Sequence, residues 1–224
     1  PAPPVDLRPG SGQKPRMTLL PDTSAAGAYR SLAPIVLASG SPRRRELLAA
    51  LGLEFEVCPS NAPEPPPAPG ERPEDYARRM AQVKTMEVAV LYPESVVLGA
   101  DTIVVRADVS GPEAVLGKPV DDDDALAMLT ALAGRDHMVV TGCCLALPGK
   151  SMPVVQAVST RVRMRASSTA ELKAYIASGE PHDKAGAYAI QGLGAFLVES
   201  VQGSYTNVVG LPVAEVVELL LAAG

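Results

Sequence analysis

Residues 95–107 read SVVLGADTIVVRA, and the fold class follows from this stretch. Its β-branched residues form a nearly continuous apolar run, which marks a strand buried on both faces. Such a strand needs cover on each side, so the run predicts an α/β protein. Asp101 and Thr102 interrupt the run. A carboxylate set into an apolar strand costs free energy unless it is paired, coordinated or used in chemistry. The plainer alternative is a structural Asp satisfied by backbone donors at a strand end; the scarcity of other metal ligands favours a functional one.

On the N-terminal side of this run, PIVLAS (34–39) is a short strand and SPRRRELLAALG (41–52) a helix. Ser41 suits its N-cap, Pro42 its first position and Gly52 its C-terminal cap. FEVC (55–58) reads as a strand, and NAPEPPPAPGERP (61–73) as a loop too polar and proline-laden to pack. A helix with acids in its first turn spans 74–92. Downstream, an acid-led helix (121–134) precedes strands at 138–148 and 154–165. Ser168 and Glu171 form a capping box that opens a helix to about Ser178. Residues 179–212 mix short strands with glycine-rich loops, and the closing helix VAEVVELLLAAG is interrupted by Glu215 and Glu218. Because some strands follow one another directly, we expect a three-layer α/β protein with a mixed sheet. Residues 1–33 read as an irregular leader, either a disordered tail or a targeting segment, ahead of one domain at 34–224.

Composition narrows the function. The 224 residues carry a net charge of −5, which argues against a general nucleic-acid binder. There is no Trp and there are two Phe, too few for a base-stacking platform. Cys58, Cys143 and Cys144 make neither a disulfide framework nor a zinc site, and the only histidines are His137 and His182. A metal here must use carboxylates and phosphate oxygens, which points to magnesium or manganese. No apolar run reaches membrane-spanning length.

Three further stretches bear on chemistry. SGSPRRR (39–45) loads a helix start with Arg43, Arg44 and Arg45. Cations there oppose the helix dipole, unless an anion sits on the helix tip among backbone N–H groups and the Ser39 and Ser41 hydroxyls. Arginines splayed into water remain an equal alternative at this point. Lys84 and Lys118, each read alone, are solvated surface lysines, and GPEAVLGKP fails as a Walker A loop because Pro119 replaces the Ser/Thr. In DKAGAYAIQG (183–192) the glycines permit close ligand approach, and the Gln191 amide has the donor and acceptor to pair with the O4 and N3–H edge of uracil or thymine, although read alone it is a turn residue facing water. His182-Asp183 lacks the further histidines of an HD metal site. Asp121–Asp124 reads as a helix start, and one of Cys143 and Cys144 is expected in the core.

LASGSPRR, GADTIV, LGKP, GEPHDKAGAYAIQG and VESVQGSYTNVVGLP, in that order, resemble the Maf (septum-formation inhibitor) family of nucleotide pyrophosphatases. The likeness runs from about Ile35 to the C-terminus. It implies an elongated mixed sheet with helices on both faces and two lobes around a central cleft. It implies Asp101 as the catalytic proton acceptor, with Asp101 and Glu64 at a divalent metal. Arg43, Thr102 and Gln191 correspond to substrate-selecting positions, and Ser39, Ser41, Arg44, Lys84 and Lys118 to phosphate contacts. The loop around Glu64 and a longer turn at 106–114 depart from the family pattern. The Gln191 motif resembles the subgroup acting on dTTP and UTP, which implies hydrolysis to the monophosphate and pyrophosphate with Mg2+ or Mn2+. The implied role is removal of unwanted nucleotides, with a link to division arrest, in the cytoplasm unless the leader directs the chain to an organelle. A non-catalytic nucleotide sensor and the same chemistry on 7-methyl-GTP stay open. As partners we expect a nucleoside triphosphate but neither nucleic acid nor membrane, and a homodimer is left open.

Overall fold

The apolar run around Asp101 is strand β5 (Val96–Arg106) at the centre of a mixed sheet. The computed structural model describes residues 19–21, 28–106 and 114–222. In chain order these hold β1 (Leu19–Pro21), β2 (Tyr29–Ser31), β3 (Ile35–Leu37), α1 (Pro42–Ala49), β4 (Glu56–Val57), α2 (Pro73–Ala89), β5, β6 (Ala114–Leu116) and α3 (Asp122–Leu132). There follow β7 (Asp136–Ala146), β8 (Val154–Met164), α4 (Thr169–Ile176), three short 3-10 turns, β9 (Val198–Gln202), α5 (Tyr205–Val209) and α6 (Val213–Ala222). The sheet order is β4-β3-β5-β7-β8-β9, with β6 beside β5. The β3 strand runs parallel to β4 and β5, and every other pairing in that sheet is antiparallel.

Helices cover both faces, as the burial of nearly all of β5 requires. On one face α2 packs Tyr76, Ala77 and Met80 against Ile103, Val105 and Val140, and Val88 against Val36 and Val97. It lies close because two sheet positions lack side chains. A Cβ at Gly142 would stand 2.1 Å from the Ala77 carbonyl oxygen, and one at Gly99 2.2 Å from Thr85 Oγ1. On the other face α1 and α6 bury Leu48, Val216 and Leu220 against Leu98 and Ala100. Further along β5, α3 and α4 bury Leu129, Leu132 and Leu172 against Val104 and Val139. Two core groups therefore sit at opposite ends of the same strand, and the cleft opens between them.

Local signals hold closely. Ser168 and Glu171 make both bonds of the capping box, and the Asp121 side chain caps α3 through Asp124 N. Other expectations need correction. The leader is not irregular throughout: β1 and β2 pair, and Leu19 is fully buried against α6 and its neighbours, because Leu19 and Tyr29 give that segment an apolar face. The rest of the leader and most of the 106–114 turn lie outside the described residues. Both Cys143 and Cys144 are buried, since β7 is covered on both faces, and burial pushes their thiols up to about 12 and about 11. The proline-rich loop is tied down: the Glu87 carboxylate accepts from Asn61 N and Ala62 N, and Pro66 and Pro67 line the cleft. Residues 179–212 hold one strand and helix α5 among 3-10 turns, fewer strands than expected. No described helix is long and apolar enough to cross a membrane.

Candidate active site

Strand β5 has a stretch without a neighbour on one edge. Its pairing with β3 ends at Leu37–Leu98, closed by a 2.8 Å bond from Ala38 N to Leu98 O, and pairing with β6 begins only at Val104. Asp101 and Thr102 stand in that gap. A cavity of about 730 Å³ opens there, within the usual range for a small-molecule site. All ten sequence-predicted residues line it: Ser39, Ser41, Arg43, Arg44, Glu64, Lys84, Asp101, Thr102, Lys118 and Gln191.

Consecutive strand residues point to opposite faces, so Asp101 and Thr102 engage different helices. Asp101, buried, turns toward α2 and accepts a hydrogen bond from Lys84 Nζ at 2.6 Å. The same Nζ lies 2.8 Å from Glu64 Oε1, so the proline-rich loop delivers its carboxylate to the strand residue's partner. Lys84 is thus a shielded link between two carboxylates, not the solvated lysine its sequence context suggested. Burial works against the Glu64 carboxylate, but the hydrogen bond and charge of Lys84, with Lys118 and Arg44 further away, hold its pKa below the ordinary value.

Thr102 faces α1. Arg44 Nη2 donates to Thr102 Oγ1 at 3.0 Å, Nη1 to Ser39 Oγ at 3.1 Å, and Nε to the Gly210 carbonyl at 2.7 Å. One guanidinium therefore joins the helix tip, the strand and the turn between α5 and α6. Burial lowers the Arg44 pKa, and the charge of Asp101 counters this. Ser41 is the N-cap of α1, yet its side chain makes no cap bond. Arg43 reaches toward Asp183 at 4.0 Å. Lys118 and Gln191 are exposed on the cleft wall.

Sequence reasoning missed several lining groups. The Gly210 carbonyl belongs to SYTNVVGLP, which drew notice only through resemblance. Lys184 lines the cavity and donates to Glu180 O at 2.7 Å and Asp183 Oδ1 at 2.5 Å. His182 Nε2 meets Asp122 Oδ1 at 2.8 Å on the exposed start of α3.

The Asp101 and Glu64 carboxylates converge on Lys84 Nζ, and among the described residues no group of three or more His, Cys, Asp or Glu forms a metal cage. That donor set fits magnesium, which commonly takes one or two carboxylates and completes its shell with substrate phosphates and water.

Comparison with known proteins identifies the family. Residues 34–223 match the family described as Maf-like protein. The chain is 49% identical over 201 residues to the dTTP/UTP pyrophosphatase of Nitratidesulfovibrio vulgaris, covering 90% of this chain and 93% of that one. It is 50% identical over 199 residues to the dTTP/UTP pyrophosphatase of Oleidesulfovibrio alaskensis, covering 88% and 89%. With the protein of the same name from Myxococcus xanthus it shares 52% identity over 190 residues, 85% of this chain and 92% of that one. A match of this extent, over most of both chains, means that the chain belongs to the Maf family.

Proposed function

We propose that the protein hydrolyses dTTP and UTP to the nucleoside monophosphate and pyrophosphate, so clearing unwanted pyrimidine nucleotides. The observation that carries this reading is the Asp101–Lys84–Glu64 link at the free edge of β5, in the same cavity as the arginine-loaded tip of α1. The family relatives named dTTP/UTP pyrophosphatase support it.

Water attacks the α-phosphorus, the bond to the bridging α–β oxygen breaks, and pyrophosphate leaves. Asp101 accepts the proton from the attacking water, and Lys84 fixes its carboxylate in place. Lys118 and the remaining Arg44 donors, with Ser39 and Ser41, hold the triphosphate, where preorganised cations offset charge on the phosphates, and Arg43 beside them acts in substrate selection. Asp101 and Glu64 would hold a divalent ion, Mg2+ or Mn2+, which would supply charge neutralisation at the phosphates and ease deprotonation of water. Gln191 reads the O4 and N3–H edge of the base. Thr102 acts in selection by holding Arg44.

The test is pyrophosphate release from dTTP, UTP, CTP and 7-methyl-GTP with magnesium or manganese. Turnover is expected with dTTP and UTP, and Asp101→Asn should lower kcat by about 10²–10⁴-fold, the usual share of a positioned base. Absence of release from every nucleotide would sink the enzyme reading and leave a nucleotide sensor. Faster turnover of 7-methyl-GTP than of dTTP would move the specificity.

A further inference from the structure

The backbone that presents Gln191 lies outside the sheet, among 3-10 turns. Two side chains hold it from behind. Tyr175, buried on α4, accepts a hydrogen bond from Ala189 N at 3.1 Å, just before Gln191. Glu180 accepts from Leu193 N at 3.0 Å through Oε2 and from Gly194 N at 2.8 Å through Oε1, just after it. The two grips are joined, because Tyr175 Oη donates to Glu180 Oε1 at 3.0 Å.

The glycines of this stretch fit the same device. Gly192 has φ of +76°, and a Cβ there would stand 2.5 Å from Glu180 Oε2. A Cβ at Gly194 would stand 2.5 Å from Tyr175 Oη. Upstream, Gly186 and Ala187 are both left-handed, with φ of 69° and 59°, and Ala187 is the one non-glycine residue with positive φ among those described. For Ala187 such a conformation costs on the order of 1–3 kcal/mol and persists only where surroundings impose it.

We propose that Tyr175 and Glu180 are positioning residues for base selection, a clamp that fixes the Gln191 segment at the distance and angle a pyrimidine edge requires. The proposal rests on the reading that Gln191 contacts the base. A paired donor and acceptor match fails with small displacements, because hydrogen bonds weaken steeply with distance and angle. A carboxylate suits this role, since one group satisfies two backbone donors and a phenol at once. Neither residue lines the cavity, so neither touches substrate directly.

The experiment measures kcat and KM for UTP and CTP in Gln191→Ala, Tyr175→Phe, Glu180→Gln and the Glu180→Gln/Gln191→Ala double variant. Tyr175→Phe removes a single oxygen and retains the ring that packs edge-on against Phe196, so it decides the matter if Glu180→Gln proves unstable. Each clamp variant should lower the UTP-to-CTP ratio of kcat/KM by about tenfold, the scale of one or two weakened hydrogen bonds, mainly through a higher KM for UTP. Within the Gln191→Ala background, Glu180→Gln should lower that ratio no further, because the clamp acts through Gln191. If Gln191→Ala lowers the ratio while folded Tyr175→Phe leaves it intact, the clamp alone is overturned. An equal fall in kcat for both nucleotides with an unchanged ratio overturns it as well. An unchanged ratio in Gln191→Ala itself overturns the base-contact reading and the clamp with it.

Discussion

Lys84 Nζ lies 2.6 Å from Asp101 Oδ1, across the gap between helix α2 and the unpaired edge of strand β5. The relationship sets the electrostatics of the cleft. Both side chains are largely shielded from water, and Glu64 joins them from a loop at 2.8 Å. One cation therefore stands where two carboxylates meet, in a place where screening is weak.

Lys84→Met removes that cation and leaves Asp101 without its fixed partner. We expect kcat/KM for dTTP to fall by about 10²–10³-fold, as for loss of a preorganised charged donor. Steady-state assays at saturating magnesium check this, and activity within a few-fold of the parent would refute it.

Arg44→Lys tests the guanidinium fork. Lysine retains the charge but cannot reach Ser39, Thr102 and the Gly210 carbonyl together. Catalytic efficiency is expected to fall by about a hundredfold or more, with a lower thermal midpoint, since each lost hydrogen bond contributes about 1 kcal/mol. Calorimetry beside kinetics measures both, and a substitution silent in each would contradict the assignment.

Gly142→Ala tests how α2 is seated. The added methyl would meet the Ala77 carbonyl at 2.1 Å, so the helix must shift. A loss of about 1–3 kcal/mol in urea unfolding is expected for such overpacking. Activity should drop too, because the displaced helix carries Lys84.

His137 makes stability depend on pH. It is buried, with Nε2 at 2.7 Å from Tyr188 Oη, and burial lowers its pKa from 6.5 to about 4, opposed weakly by Asp136. The folded state thus favours neutral imidazole, while the unfolded chain takes up a proton near the ordinary value. Stability from this group is intact above that value and is lost as pH falls toward about 4. The slope is about 1.4 kcal/mol per pH unit. Urea titrations between neutral pH and pH of about 5 read it directly. His137→Gln should flatten the profile, and an unchanged slope in that variant would assign the effect to other groups.

Much of the site was legible because its signals are local or costly. An acid inside an apolar strand, and three arginines on a helix start, break rules that hold where nothing functional intervenes. Lys84, Lys118 and Gln191 carried no such mark. Their place in the cleft followed from family motifs, and for Lys84 the reading from residues alone was wrong. Glu64 too was named only through the resemblance: composition describes the proline-rich loop as polar, but not which side chain it turns inward. The clamp of Tyr175 and Glu180 left no sequence signal, because its partners are backbone amides that every residue carries.

The order of residues alone specifies where the central strand runs, which helices flank it and where their ends fall. Those outcomes depend on apolar periodicity and on capping bonds spanning a few residues. What meets at the cleft is a matter of packing in three dimensions. Arg44 finds the Gly210 carbonyl across 166 positions of chain, and Lys84 finds Asp101 across 17. Such bonds arise from how sheet and helices pack, and β5 exposes Asp101 only because β3 ends and β6 starts on either side of it.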